Sequence, residues 1–468
     1  ADDDAWLERT NNHFDQVYGG VRLGGGGDRA PVGGVRATWR EQGLPGSAWA
    51  PTAAARLSTA SAIADGAAWS EVGPASGHHR GFGAIEVQHY ADREGEIGLG
   101  IQDRRYQSVS FGGTTAWAIP VGRHRATAAL DARFDVFRDR DLLMDRPRVT
   151  GDRGSGGVAA AIDLAITDGV AIVPAIRVDA ARTDPAIDPD APDVGAALRW
   201  DAPVSPRVSA RWLARPDLAI KGSVGRYARL PTVIELFGDR GFVVGSPQLS
   251  PESGLTADAG IVWAPAVAYG AIDRVVIEAA GFAGAPRDTI AMVNTIAGVS
   301  RALNIGDTRS VGAELVANVR IDRALTLAAN YTLLDAIQHA SDPSHDGKQL
   351  PRQPRHAAYA RADFATRVED RLAVVWSDVD WQSTSYLDRA SLLAVPGRTL
   401  VGAGIKAEIG GGVMAGVEVR NLTDHRLVDR VLDPPPRPDL TTVPMAAVDV
   451  AGFPLPGRAF YATVEWSH

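Results

Sequence analysis

The chain has 468 residues, with 48 Lys and Arg against 56 Asp and Glu, a net charge of −8, 50 Gly, 29 Pro and no Cys. The lack of Cys excludes a disulfide scaffold and thiolate metal sites, and mixed charge without a Lys/Arg block argues against a nucleic-acid partner. No run of about eighteen apolar residues is present to make a membrane helix, but a barrel strand needs only about ten residues with every second one apolar, which a mean hydropathy near zero accommodates.

At the N-terminal end no signal-peptide pattern precedes Asp2-Asp3-Asp4, which reads as a processed start or a later cut. Val17, Gly19, Val21 and Leu23 then share one parity, Gly24–Asp28 makes a turn, and Gly33, Val35, Ala37 and Trp39 alternate on the return. Further strands are expected near Ala53–Ser61, Phe82–Tyr90, Ala116–Val121 and Ala126–Phe137. Val158–Ile166 and Val170–Ala181 pair across Thr167-Asp168-Gly169, and Val194–Leu213 is a return interrupted by Pro203 and Pro206.

Leu218, Ile220, Gly222 and Val224 alternate with Ala219, Lys221, Ser223 and Gly225, and Arg229-Leu230-Pro231 stops that strand. A long Gly- and Pro-punctuated segment follows. Strands resume at Leu255–Trp263, Val275–Gly281, Val311–Ile321 and Leu325–Leu333. The last ones alternate most cleanly, with Val401 to Ile409, Val413 to Val419, and Phe460, Ala462, Val464 and Trp466 each on one face.

Connections alternate between short and long. Gly24–Asp28, Thr167–Gly169, Arg215–Asp217, Asp322–Ala324 and Gly410–Gly412 are short. Arg40–Pro51, Tyr90–Thr114, Arg138–Gly154, Arg229–Gly254, Gly281–Arg309, Ala336–His356, Asp378–Val395 and Asp424–Gly457 are long and are placed outside the cell. The result is an all-β chain, a single domain over residues 1–468, with about nineteen strands of a transmembrane antiparallel barrel.

The sequence lacks a His-Glu-x-x-His zinc site, a phosphate-cradling Gly-x-x-x-x-Gly-Lys loop and a Gly-x-Ser-x-Gly elbow, so a catalytic reading finds no support. Neither a cofactor nor a metal is expected. His78-His79 reads as a solvated turn, because adjacent strand positions point to opposite faces, and Gly154-Ser155-Gly156 reads as a bend leading into a strand. Trp39, Trp69, Trp117, Trp263, Trp376 and Trp466 are expected as anchors at the membrane interface.

Several segments are motif-like. Tyr227 to Pro231, Glu235 to Asp239 and Gly245-Ser246-Pro247-Gln248-Leu249-Ser250-Pro251-Glu252 follow one another closely. Arg9-Thr10-Asn11-Asn12-His13-Phe14, Gln42 to Gly46, Gly95 to Asp103, Asn304 to Leu315, Leu350 to His356 and Asn421-Leu422-Thr423-Asp424 are others. Together they resemble the barrel of TonB-dependent outer-membrane receptors, from just before that family's fourth strand to its end.

The resemblance implies a 22-stranded barrel whose lumen is plugged, with the plug and about three strands supplied by a second polypeptide. It implies energy-dependent uptake of a scarce nutrient, an iron chelate or cobalamin-like compound, with the inner-membrane TonB protein pulling on the plug. Candidate ligand contacts in the long loop are Arg229, Glu235, Phe237, Asp239, Arg240 and Phe242, and the competing role for this motif is to fold the loop against the wall. Trp381, Tyr386, Arg426 and Arg430 are weaker candidates. Glu314, Asn318, Arg320, Lys406, Glu408, Glu418 and Arg420 are expected to line the lumen and dock the plug. The alternatives are a passive or gated pore and a structural anchor for a larger envelope complex.

Overall fold

The structure is a computed structural model that describes residues 10–27, 29–47, 50–97, 100–187, 197–239, 243–266, 270–294, 300–425, 427–431, 442–446, 448–450, 453–454 and 457–466. Twenty strands form one antiparallel sheet. Its long members are β1 (Phe14–Gly24), β2 (Val32–Gly43), β3 (Arg56–Val72), β4 (Ala75–Asp92), β5 (Gln102–Val121), β6 (His124–Asp141), β7 (Arg146–Ala165), β8 (Val170–Ile187), β9 (Val204–Arg215) and β10 (Leu218–Arg229). They continue with β11 (Glu252–Trp263), β12 (Ile272–Arg287), β13 (Asp307–Ile321), β14 (Leu325–His339), β15 (His356–Val368), β16 (Arg371–Gln382), β17 (Arg398–Gly410), β18 (Val413–Arg420) and β19 (Ala459–Trp466). The twentieth, Arg199–Asp201, pairs with β8 just beyond β9, so the two pieces are one strand broken at Ala202-Pro203, and among the described residues the wall has nineteen strands, the number expected.

Each strand pairs with its neighbours in sequence, the arrangement that hairpin-connected antiparallel strands produce. Among the described residues no ladder joins β1 to β19, so the wall has a seam with two unpaired edges.

Side-chain parity assigns the faces. Arg133, Asp135 and Phe137 alternate with Leu130, Ala132, Phe134 and Val136 along β6. Phe137 stacks on Phe237 of the loop after β10, which marks the first set as inward. Carried across the ladders, the outward set includes Val158, Val224, Leu255 and Val464, all more than half exposed in the isolated chain, as a lipid-facing row should be. The inward set carries ion pairs. Arg177 meets Asp131 at 2.8 Å and Asp179 at 2.6 Å, Arg207 meets Asp258 at 3.3 Å, and Lys221 meets Glu278 at 3.4 Å.

Several expectations need correction. The strands near Ala53–Ser61 and Phe82–Tyr90 extend through residues 62–81 to a tight turn at Gly73-Pro74, where Gly73 has φ 56°. His78 and His79 therefore lie in a strand, not a turn. His78 stacks inward on Trp69 with ring centroids 4.8 Å apart, while outward His79 bonds Ser70 at 2.7 Å and Thr115 at 2.9 Å. Gly154 to Gly156 lie mid-strand in β7.

The connection expected at Tyr90–Thr114 shrinks to residues 93–101, and that at Arg138–Gly154 to residues 142–145. Charged residues disguised these strand ends, because beyond the lipid cross-strand ion pairs such as Arg104–Asp139 and Arg138–Asp152 replace apolar alternation. As a result β3 to β8 run 17, 18, 20, 18, 20 and 18 residues, against 8 to 16 for β9 to β19. Trp69 and Trp376 also depart from the anchor role. Both face inward, Trp376 under the Arg361 guanidinium at 4.3 Å, whereas Trp39, Trp117, Trp263 and Trp466 keep the outward parity.

Candidate functional site

The long segment after β10 folds back into the external mouth of the barrel. Pro231 ends the strand, and Thr232 starts the single turn of α1 (Val233–Phe237) through a capping box. The Thr232 hydroxyl accepts from the Glu235 N–H at 3.3 Å, and the Glu235 carboxylate accepts from the Thr232 N–H at 2.7 Å. The same carboxylate takes the Arg229 guanidinium at 2.9 and 3.0 Å. Burial alone would raise the Glu235 pKa, but the Thr232 N–H and Arg229 hold it below the ordinary carboxylate range.

Glu252, at the start of β11, closes the loop. Its carboxylate accepts from the Tyr227 hydroxyl at 2.9 Å and the Ile290 N–H at 2.9 Å, and lies 3.5 Å from Arg229. Asn304 ties in the next loop, accepting from the Ser250 N–H at 2.9 Å and donating to the carbonyls of Ser250 at 3.0 Å and Asp288 at 2.7 Å.

Apolar packing fixes where the segment lies. Leu236, Phe237 and Leu249 join Leu57, Tyr90, Tyr106 and Phe137 of the wall, and Ile290 and Ala302 of the following loop, in one buried cluster. The Phe237 ring lies 5.6 Å from that of Phe137, nearly parallel. It rests on Gly151 of β7, where a Cβ would overlap the ring. Arg153, buried on the same strand, donates to the Pro231 carbonyl.

The sequence candidates therefore separate. Arg229 and Glu235 are paired with each other, Phe237 is buried, and Asp239 is half-buried in the short strand Gly238–Asp239, paired with Val243–Val244. Arg240, Phe242 and Arg426 lie outside the described residues, as does the side chain of Arg430. Trp381 is outward on β16, and Tyr386 sits in a separate short hairpin with Ala394. The residues that hold the loop from the wall, Tyr90, Phe137, Gly151 and Arg153, were not singled out. Only the long-range fold brings them to residues 231–237.

Register places Glu314, Asn318, Arg320, Lys406, Glu408, Glu418 and Arg420 all on the inward parity. Arg320 pairs with Asp273 at 2.7 Å, Lys406 with Glu465 at 2.7 Å and Arg420 with Glu418 at 2.8 Å. Glu314 and Glu408 make no ion pair among the described residues.

Known proteins share this architecture. The copper transporter OprC superposes with a TM-score of 0.71 at 16% identity over 98% of this chain and 73% of its own. The siderophore receptor PiuA from Acinetobacter baumannii gives 0.69 at 13% identity over 98% and 75%. The ferric yersiniabactin uptake receptor FyuA from Yersinia pestis gives 0.67 at 13% over 96% and 70%. No curated protein matches the chain. The family described as TonB dependent receptor-like, beta-barrel matches residues 3–422. With nineteen hairpin-ordered strands, apolar outward rows and a loop folded into the mouth, the chain belongs to the TonB-dependent receptor barrel family and is a β-barrel protein of the outer membrane.

Proposed function

We propose that this chain forms most of the wall of an outer-membrane transporter for energy-dependent uptake of a scarce nutrient, an iron chelate or cobalamin-like compound. Further strands close the seam, and a plug within the lumen couples to TonB. The observation that carries this reading is the pair of unpaired edges at β1 and β19. In lipid each unsatisfied backbone group costs several kcal/mol, so both edges need strands. Nineteen strands fall about three short of a 22-stranded plugged barrel. Neighbours named for copper, a siderophore and ferric yersiniabactin support a metal or metal-chelate cargo.

In this reading Arg229 and Asp239, with Arg240 and Phe242, face the ligand, while Glu235 and Phe237 shape the loop that carries them. Glu314, Asn318, Arg320, Lys406, Glu408, Glu418 and Arg420 meet the plug. Denaturing electrophoresis with mass spectrometry on the natively purified complex tests the arrangement. A plug and about three further strands are expected in the complex, on this polypeptide or on a co-purifying one. A barrel of these nineteen strands alone that inserts into lipid overturns the reading.

A further inference from the structure

The outer face of the wall is hollowed along β12. Outward positions of that strand read Ile277, Ala279, Gly281, Ala283, Ala285 and then Arg287. Across Ala279 and Gly281, between Ala259 and Ile261 on β11 and Ala313 and Leu315 on β13, lies a shallow apolar trough of about 490 Å³, and a second hollow of about 290 Å³ continues past Leu315 and Tyr331 to Trp381. Small outward residues alone do not make such a trough. On β6 the alanines are interrupted by Leu130 and Phe134.

Charge gathers at the external end of the β12 row, above the trough. Arg287 stands opposite Ser253 in the ladder, and Arg226 reaches the Ser253 hydroxyl at 3.4 Å from the other side. Neither arginine has a carboxylate partner among the described residues. Next to them Arg309 and Arg355 share Asp335 at 3.4 and 2.7 Å. Asp307, also on this rim, makes no ion pair among the described residues. Four guanidiniums thus accompany two carboxylates, Asp307 and the Asp335 that two of them share. From Arg287 down to Gly281 is about 20 Å of strand, or roughly 14 Å of depth at a tilt near 45°. That spacing suits a headgroup at the arginines and the middle of an acyl chain in the trough.

We propose that a phosphate-bearing lipid of the external leaflet docks on this face, its phosphate between Arg226 and Arg287 and one acyl chain along β12. The assignment needs only a barrel that spans the membrane and is independent of the uptake reading. Charge complementarity selects the anionic headgroup, since arginine forks match phosphate oxygens, and the hollow row selects the chain.

The test is native mass spectrometry of the purified complex in nonionic detergent, titrated with dipalmitoylphosphatidylglycerol or dipalmitoylphosphatidylcholine. The expected result is one tightly retained phosphatidylglycerol, preferred about tenfold over the zwitterionic lipid. The double change Arg226→Gln/Arg287→Gln should erase the preference, while Arg226→Lys/Arg287→Lys keeps most of it. Ala279→Leu/Ala313→Leu fills the trough and should release the lipid with the arginines intact. The double change Arg36→Gln/Arg40→Gln, on the inward face, should leave retention unchanged. Absence of a headgroup preference in the wild type overturns the proposal. So does retention that survives either the glutamine or the leucine changes, or that falls equally with the inward pair.

Discussion

Replacing Phe237 by Ala should unlatch the loop without unfolding the wall. The ring is 4% exposed, lies on Gly151 and stacks on Phe137. Truncating a buried Phe costs about 3–5 kcal/mol, aromatic contact included. The loop has few apolar anchors beyond Leu236 and Leu249, so most of that loss falls on its local opening. About 3 kcal/mol is roughly a hundredfold in the opening equilibrium. Hydrogen exchange of amides 233–249, read by mass spectrometry on the detergent-solubilised complex, should quicken by that factor. Exchange in β6 and β7 should stay slow, because ladder bonds hold those strands. Gly151→Ala should release the same loop from the other side, since its methyl takes the space of the ring. The double variant should then be little worse than either single one, because both remove one contact. Unchanged exchange in Phe237→Ala, or additive effects in the pair, refutes this account of the latch.

Acid should also free the loop. The Glu235 carboxyl has a depressed pKa, so its stabilisation is complete above the ordinary carboxylate range and is lost as pH falls through the lower folded value. Loop exchange corrected for intrinsic rate should be flat from about pH 7 to 5 and rise below, and Glu235→Gln should abolish that rise. Thr232→Ala removes the cap and should cost about 1 kcal/mol of loop protection by the same readout. On β13, Leu315→Arg should cost about 2–4 kcal/mol in urea unfolding from vesicles, and Val316→Arg one position on should cost far less, since only the first faces lipid. Because the chain has no Cys, a Val21→Cys/Val464→Cys pair tests the seam cleanly. No disulfide should form in the native complex, and efficient oxidation would show that nineteen strands close on themselves.

Much of the fold was legible in the sequence because lipid imposes a two-residue period on the outward row. Val401 to Ile409 and Phe460 to Trp466 show it plainly, and β10 begins and ends where the alternation and Pro231 place it. Above the membrane that constraint lifts. The outer ends of β5 to β7 are polar on both faces, so Arg104, Asp139 and Asp152 read as loop although they lie in ladders. Ala62 to Ala68 hid the β3–β4 hairpin because alanine contrasts weakly with its neighbours. At the mouth, Arg229 and Glu235 were legible as a motif. The groups that hold this segment, Glu252 and Ile290 on Arg229 and Arg153 on Pro231, lie 23 to 78 positions from their partners in sequence, and no local period announces such contacts.

The unequal strand lengths give the barrel a direction. Eighteen residues at about 3.3 Å each, tilted near 45°, stand roughly 42 Å tall, whereas twelve stand about 28 Å, close to the apolar band of the bilayer. The strands β3 to β8 are therefore about 14 Å taller than the twelve-residue strands, and hydrogen-bonded ladder rather than loop makes up the difference. On the shorter side the rim is built instead from the connections after β10, β12, β14 and β16. One part of the mouth is thus stiff wall and the other a set of loops, which concentrates any rearrangement of the rim on the loop side.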